Sequence, residues 1–179
     1  MSALGSFLFV FLFLLRIEQG LRGSFAAWLL AVQSGLTAFR LQFRKKAEKD
    51  SPLALQAMAW LSAFAPLTMI PALSPLLELP GLALSVWSIW VLGDSFGVAP
   101  SDRGLVERGP YRFIRHPMYA GELLAVLGVC ISNPVLWNWS VMAVFACSLY
   151  MRIADEEALI EGYYKYSRRV AWRLFPYVW

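Results

Sequence analysis

Charge is scarce in this 179-residue chain: Asp, Glu, Lys and Arg make up 16% of it, against about 25% in an average soluble domain. Histidine occurs once and cysteine twice, so the usual His and Cys combinations of a zinc site cannot be assembled, and no metal is expected. So few cysteines also exclude a disulfide scaffold. Cys130 and Cys147 both fall in apolar runs and read as small core residues. The sequence has no Walker loop, no G-x-G-x-x-G after a strand and no nucleophile elbow, which removes the common nucleotide and serine-hydrolase sites. Internal repeats and low-complexity stretches are missing too.

What is present is apolar. Hydrophobic residues make up 59% of the chain, with 8 Trp and 12 Phe, which excludes disorder. A soluble domain of this size hides only about 70% of its unfolded surface, so this composition would leave adhesive patches in water. A bilayer removes the problem. Six segments have the length and hydropathy of membrane spans or approach it, at 2–16, 24–40, 52–73, 76–98, 118–132 and 135–152. The first, from Leu4 to Leu15, lacks the basic start and small-residue cleavage site of a signal peptide and is read as a retained span. Pro66 and Pro71 should kink the third near one end. Ile131-Ser-Asn-Pro134 is a turn signal that makes the last two spans a tight hairpin.

Net charge is +4, but the basic residues lie beside spans, which points to the bilayer rather than to nucleic acid. With a cytoplasmic N-terminus, only Arg16 and Arg22 fall outside, and every other Lys and Arg faces the cytoplasm. The expectation is an all-α, multi-pass transmembrane helical bundle of five to six spans. Small size and the lack of a retention signal point to a bacterial inner membrane. Two polar stretches, 99–117 and 153–179, flank the hairpin on the cytoplasmic side. In the second, Leu159, Tyr163, Tyr166 and Val170 recur at helical spacing between the acidic Asp155-Glu-Glu157 and the basic Arg168-Arg169. That pattern predicts one amphipathic helix, opened by acid and closed by base, and such a helix can simply lie on the membrane surface.

Two clusters could carry chemistry. The first, Arg108-Gly-Pro-Tyr-Arg-Phe-Ile-Arg-His-Pro-Met-Tyr-Ala-Gly-Glu122, sets the single histidine at the mouth of the fifth span, with Pro117 fixing His116 in an extended conformation. An ordinary headgroup contact competes with catalysis there. The second is Arg152-Ile-Ala-Asp-Glu-Glu157, where Arg152 and Glu156 stand four apart and could form a structural ion pair. Opposite the Arg and His cluster, the same acids could hold a zwitterion. Asp94 and Glu122 lie within apolar segments and should face the bundle interior or a vestibule.

Both clusters, in this order around a hairpin, resemble the isoprenylcysteine carboxyl methyltransferases and their relatives the phospholipid N-methyltransferases. The resemblance runs from about Leu92 to Trp179, through Leu92-Gly-Asp-Ser-Phe-Gly-Val-Ala-Pro100, Gly109-Pro-Tyr111, Arg115-His-Pro-Met-Tyr-Ala-Gly121, Ser132-Asn-Pro134, Arg152-Ile-x-x-Glu-Glu157, Tyr166-x-x-x-Val170 and Trp172-Arg-Leu-Phe-Pro176. It departs from the family at Asp94, a position that is often basic, and at Glu161-Gly162, where an aromatic-Gly pair is usual. Residues 1–80 carry no matching motif and 81–179 form the catalytic region.

The resemblance implies S-adenosylmethionine as cofactor, bound in a cytoplasmic pocket made by the last hairpin and the C-terminal helix, with His116, Tyr119, Glu156, Glu157, Tyr111 and Gly121 around it. It implies catalytic roles for Arg115, Glu157 and Glu122, and a lipophilic or small-molecule acceptor. The chemistry suits these residue types. Carboxylates and aromatic faces attract an ammonium and a sulfonium, and in-line methyl transfer depends on positioning and desolvation. Carboxyl O-methylation is the leading expectation, because an ionised carboxylate needs no base and Arg115 could orient it. A lipid amine or a thiol is the alternative, with Glu122 or His116 taking the proton. A sterol-reductase-like oxidoreductase and a non-enzymatic transporter or scaffold are further alternatives.

Overall fold

The computed structural model describes residues 2–22, 25–70 and 75–179, and they are mostly helical, with one two-residue strand pair and irregular connections gathered largely around 44–52, 93–116 and 160–179. Helix α1 (Ser2–Leu21) and α2 (Phe25–Phe43) form an antiparallel pair, as Ser6 Oγ reaching Ala38 O and Gly20 lying under Trp28 show. Helix α3 (Leu53–Phe64) gives way to a 3₁₀ turn, Ala65–Thr68, because Pro66 has no N–H for the helical ladder. Pro71, the other expected kink, lies outside the described residues. Helix α4 (Leu79–Leu92) stops at Gly93, whose φ of 59° is open to glycine. Helix α5 (Pro117–Ser132) starts on Pro117, where a missing N–H costs nothing, and α6 (Leu136–Leu159) returns beside it.

Asn138 fixes the hairpin turn. Fully buried on α6, it accepts from Ile70 N (2.9 Å) and donates to Ile70 O and Asn133 O (both 3.0 Å). A buried amide is tolerable only with its groups paired in this way. Helices α4 and α5 cross with almost no side chain between them. A β-carbon on Gly121 would lie 2.6 Å from Gly81 O, and one on Gly81 would lie 2.5 Å from Gly121 O. Small residues at helix crossings are the usual device for close packing in lipid, where oil-like surroundings supply no hydrophobic drive. Leu41, Ile89, Met118, Phe145, Leu149 and Ile153 fill the core that these helices enclose.

The outer faces are apolar as well, with Phe7, Phe11, Leu14, Trp87, Trp90 and Val144 exposed. This is a surface for lipid rather than water. Helix lengths by themselves do not give five or six spans. Among the described residues one window, Leu4–Leu21, is long and apolar enough to cross a membrane, and Leu53–Thr68 and Pro117–Ser132 are shorter apolar helices. Cys130 is buried as expected, but Cys147 is exposed on α6: its apolar run faces outward, so hydropathy alone mistook an outer face for core.

The basic loops meet at one end of the bundle. Strand β1 (Lys49–Asp50) pairs antiparallel with β2 (Ser101–Asp102), joining the segment after α2 to the segment after α4. The expected single tail helix is two elements. Asp155, Glu156 and Glu157 close α6 instead of opening a new helix, and the chain turns at Gly162 (φ 76°) into the seven-residue α7 (Tyr163–Arg169). Asp102 Oδ2 fixes the turn by accepting from Glu161 N at 2.9 Å. The apolar face of α7 does not lie on a membrane: Tyr163, Tyr166 and Val170 are buried against Leu105 and Ile160.

Candidate active site at the basic end of the bundle

Pro117 holds His116 extended at the start of α5, and the tail then captures it. Arg115 N donates to Trp172 O (2.8 Å) and His116 N to Arg173 O (2.9 Å), so the Arg-His-Pro segment and the Trp-Arg segment lie backbone to backbone. The last turn of α6 faces both. Glu157 therefore sits among four donors. Arg115 Nη1 lies 3.0 Å from its Oε1, Arg173 grips it through Nε (3.0 Å to Oε1) and Nη2 (2.8 Å to Oε2), and the His116 Nε2 and Tyr163 hydroxyl are 3.2 Å and 3.3 Å from Oε1. Burial by itself would raise the Glu157 carboxyl, but the bonds from His116 and Arg173 and the charge of Arg115 outweigh it and hold the group down at about 2. It is a fixed anion.

Glu156, one residue earlier, is differently placed. It accepts a hydrogen bond from the Tyr119 hydroxyl, 3.0 Å from Oε2, and His116 Nδ1 stands 3.9 Å away. Arg152, four residues before it, turns elsewhere: Nη2 donates to Val98 O at 2.7 Å, and the guanidinium lies 4.6 Å above the Tyr119 ring. The ion pair allowed by the spacing is replaced by a cation–π contact and a backbone bond. His116 stacks between Tyr119 and Tyr163, with centroids at 5.7 Å and 6.0 Å. Burial, reinforced by Glu157 and Glu156, pushes the Tyr163 phenol far up, so it remains a donor.

Of these, Arg115, His116, Glu156 and Tyr163 line a small cavity of about 40 Å³, bounded also by Tyr111, Tyr166, Ser101 and the strip from Arg103 to Val106, with Glu157 and Tyr119 bonded to its wall from behind. The Tyr111 hydroxyl and Arg115 Nε are both buried without a hydrogen-bond partner, which marks polar capacity not used by the protein itself. The structure thus brings together Arg115, His116, Tyr111, Tyr119, Glu156 and Glu157. Glu122 lines a neighbouring, partly open cavity of about 200 Å³ with Glu78, Arg16 and the Arg152 that stacks on Tyr119. Gly121 faces Gly81 at the α4–α5 crossing, a packing position. Asp94 faces a separate polar cleft, with Oδ1 3.7 Å from Arg40 Nη1.

Three participants were not singled out from sequence. Arg173 supplies the bidentate grip on Glu157, Tyr163 joins His116 to that carboxylate with its hydroxyl 2.9 Å from Nε2, and Asp102 braces the strip and the tail together through Gly104 N (3.0 Å) and Glu161 N. Arg173 lies within the Trp-Arg-Leu-Phe-Pro motif, so its position was marked although its role was not. Asp102 carries no pattern at all.

The fold is thus an apolar-faced helical bundle whose basic end gathers buried Arg152 and His116 beside the paired Glu156 and Glu157. Residues 72–167, more than half of the chain, match the family model for phospholipid methyltransferase, and the chain belongs to that family. It is also 35% identical over 66 residues to "Phosphatidylethanolamine N-methyltransferase B" of Dictyostelium discoideum, a match that covers 33% of this chain and 32% of that protein. The alignment thus spans about a third of the relative's length. The family match holds His116, Glu156 and Glu157 and ends before Arg173.

Proposed function

We propose that this protein is a multi-pass membrane methyltransferase that uses S-adenosylmethionine to methylate the amine of a membrane lipid. The observation that carries the proposal is the division of labour between the paired glutamates. Glu157 engages Arg115 and Arg173 together, and the other terminal nitrogen of Arg115 donates to Ala171 O at 3.0 Å, while Glu156 keeps a carboxylate turned to the cavity with a phenol on it. An arginine whose two terminal nitrogens are already bonded cannot grip a carboxylate acceptor in the bidentate way, and a cavity that offers a carboxylate and aromatic rings suits a cation. This reverses the expectation of carboxyl O-methylation, and the family description and the ethanolamine-lipid relative support the same direction.

The donor set also fits the cofactor. Glu156 suits its ammonium, the Tyr111, Tyr163 and Tyr166 rings that line the cavity suit a sulfonium, and the unpartnered Tyr111 hydroxyl and Arg115 Nε remain for its other polar groups. When bound, the cofactor supplies an electrophilic methyl group on sulfur. The protein supplies the rest. An alkylammonium, with a pKa near the ~10.4 of lysine, cannot attack until it loses a proton. That proton is lost to water before the C–N bond forms and the methyl–sulfur bond breaks, while Glu156 remains an anion whose charge favours cations in the cavity. His116, pinned by Tyr163 and Glu157, fixes the aromatic wall against which the reacting groups line up.

Purified protein in lipid nanodiscs should transfer radiolabelled methyl groups from S-adenosylmethionine to phosphatidylethanolamine and not to a prenylcysteine carboxylate. Transfer to the carboxylate alone would overturn the amine reading. Calorimetry that finds no cofactor binding in folded protein would overturn the methyltransferase reading itself and leave the oxidoreductase and scaffold alternatives.

A further inference from the structure

Beside the small cavity lies an open polar cleft of about 680 Å³, walled by Arg40, Lys45, Arg103 and Arg108 against two acids, Asp94 and Glu107. The strip Arg103–Val106, with Leu92 and Ser95, lines both the cleft and the cavity that holds Glu156, so one thin wall separates them. The cleft is basic at its floor. Two guanidiniums converge on the bare backbone of Gly93, where a β-carbon would lie 3.9 Å from Arg40 Nη1 and 4.0 Å from Arg108 Nη2. Few anions answer them. Glu107 pairs with Arg169, and Asp94, 3.7 Å from Arg40, is half exposed; Arg40 Nη2 donates to Trp90 O at 3.2 Å and its guanidinium lies 5.5 Å over the Trp90 ring, but its Nε is buried without a partner, and Arg108 reaches a backbone carbonyl at 3.4 Å. Like charges brought this close to one point favour an anion between them.

The other side of the cleft is apolar. Trp90, two-thirds exposed at the end of α4, lines both the cleft and a long groove of about 1,090 Å³ between α1, α2 and α4, whose wall includes Phe13, Leu36, Phe39 and Trp87. Tryptophans beside basic residues mark the level of phospholipid headgroups. A hydrocarbon groove, an anion site and an acidic methylation pocket therefore follow one another along the end of the bundle. A lipid with an acyl chain, a phosphodiester and a terminal amine has those three parts in that order.

We propose that the Arg40–Arg108 cleft is a subsite for the phosphodiester of a glycerophospholipid whose acyl chain lies in the groove and whose amine is directed across the Arg103–Val106 strip toward Glu156. The proposal rests on the amine reading for its outcome but not for its test. Dihexanoyl phosphatidic acid, which has the phosphate and no amine, should bind the purified full-length protein and quench tryptophan fluorescence. Arg40→Gln/Arg108→Gln should weaken that binding about ten- to a hundredfold, as expected for lost charge-assisted bonds. Asp94→Asn, which removes the competing carboxylate, should tighten it, a gain that misfolding cannot mimic.

In turnover, the double variant should raise KM for phosphatidylethanolamine at least about tenfold more than KM for a long-chain alkylamine that lacks a phosphate. An equal loss on both acceptors overturns the subsite. So does a parallel loss of S-adenosylmethionine affinity, which would give the cleft to the cofactor's carboxylate. Inorganic phosphate or glycerophosphoethanolamine competing as well as the dihexanoyl lipid would make it a site for a free phosphate and overturn the lipid assignment. If no amine is methylated at all, the proposed function fails, while unchanged dihexanoyl phosphatidic acid binding in the variants is what would sink the cleft.

Discussion

Replacing Glu157 by Gln isolates the most heavily bonded group in the site. The carboxyl sits at about 2 instead of 4.5, which at about 1.4 kcal/mol per decade is a preference of roughly 3 kcal/mol for the charged form in the folded protein. The side chain is 13% exposed, so partial screening trims this to on the order of 2–3 kcal/mol. The sign follows from the direction of the displacement. A carboxyl held down in the fold contributes its full stability above its unfolded value, and the contribution is lost as pH falls from about 4.5 toward 2. Glu157→Gln also leaves Arg115 and Arg173 facing each other without their common anion, so the variant should be destabilised by about 3 kcal/mol near neutral pH. Thermal unfolding of detergent-purified wild type and variant between pH 7 and pH 2.5 checks both points. The two curves should converge as the medium becomes acid. Parallel curves across that window would refute the argument, because they would mean that Glu157 titrates alike in the folded and unfolded chains.

Tyr163→Phe removes the hydroxyl that links His116 to Glu157 and should cost about 1 kcal/mol in unfolding free energy, with a larger loss in methyl transfer than in cofactor affinity; equal losses would deny it a positioning role. Asp102→Ala frees the Glu161 and Gly104 amides and should cost about 1–3 kcal/mol while raising hydrogen exchange at residues 160–162, and unchanged exchange there would show the turn to be held by other means. Gly121→Leu drives a side chain into the backbone of α4 and should destabilise by about 3 kcal/mol or more, whereas a fully stable variant would show that the helices do not cross at that point.

Much of the helix order could be read directly, because apolar helices announce themselves through hydropathy and breaks through Pro and Gly. The apolar segment expected at 118–132 matches α5 to within a residue, and Pro117 starts it for the reason given from sequence, although its 16 residues fall short of a full span. The tail was harder. Its helical periodicity runs without interruption from Leu159 to Val170, and nothing in that spacing reveals that Gly162 turns left-handed and that a side chain sixty residues earlier caps the turn. The partners of the paired glutamates were half legible: the sequence places His116 and Tyr119 one helical turn apart, but Arg173 reaches Glu157 only because the tail doubles back onto residues 115 and 116. Glu122 stood out as an acid within an apolar span close to the Arg-His-Pro motif, and Gly121 as part of that motif. The structure sets Glu122 on a neighbouring cavity beside Arg152, which stacks on Tyr119, and Gly121 against α4, and neither position is legible from spacing alone. Arg152 and Glu156 share a helix face, yet Tyr119 and Val98 compete for them and win, which local spacing cannot foresee.

The bare crossing of Gly81 and Gly121 has a consequence for kinetics. Backbone packed against backbone has no side chains to rotate, so α4 and α5 behave as one slab and cannot part to admit a ligand. For the proposed nucleoside-sized cofactor to enter a cavity of about 40 Å³ some part must yield, and that part is the ribbon from Gly104 to Val106, since Ser101 and Asp102 are held in the strand pair and Gly104 has open space around it. Ligand exchange is then set by the motion of a few loop residues and not by breathing of the bundle. Its rate should follow the flexibility of that ribbon and be indifferent to the thickness of the surrounding bilayer.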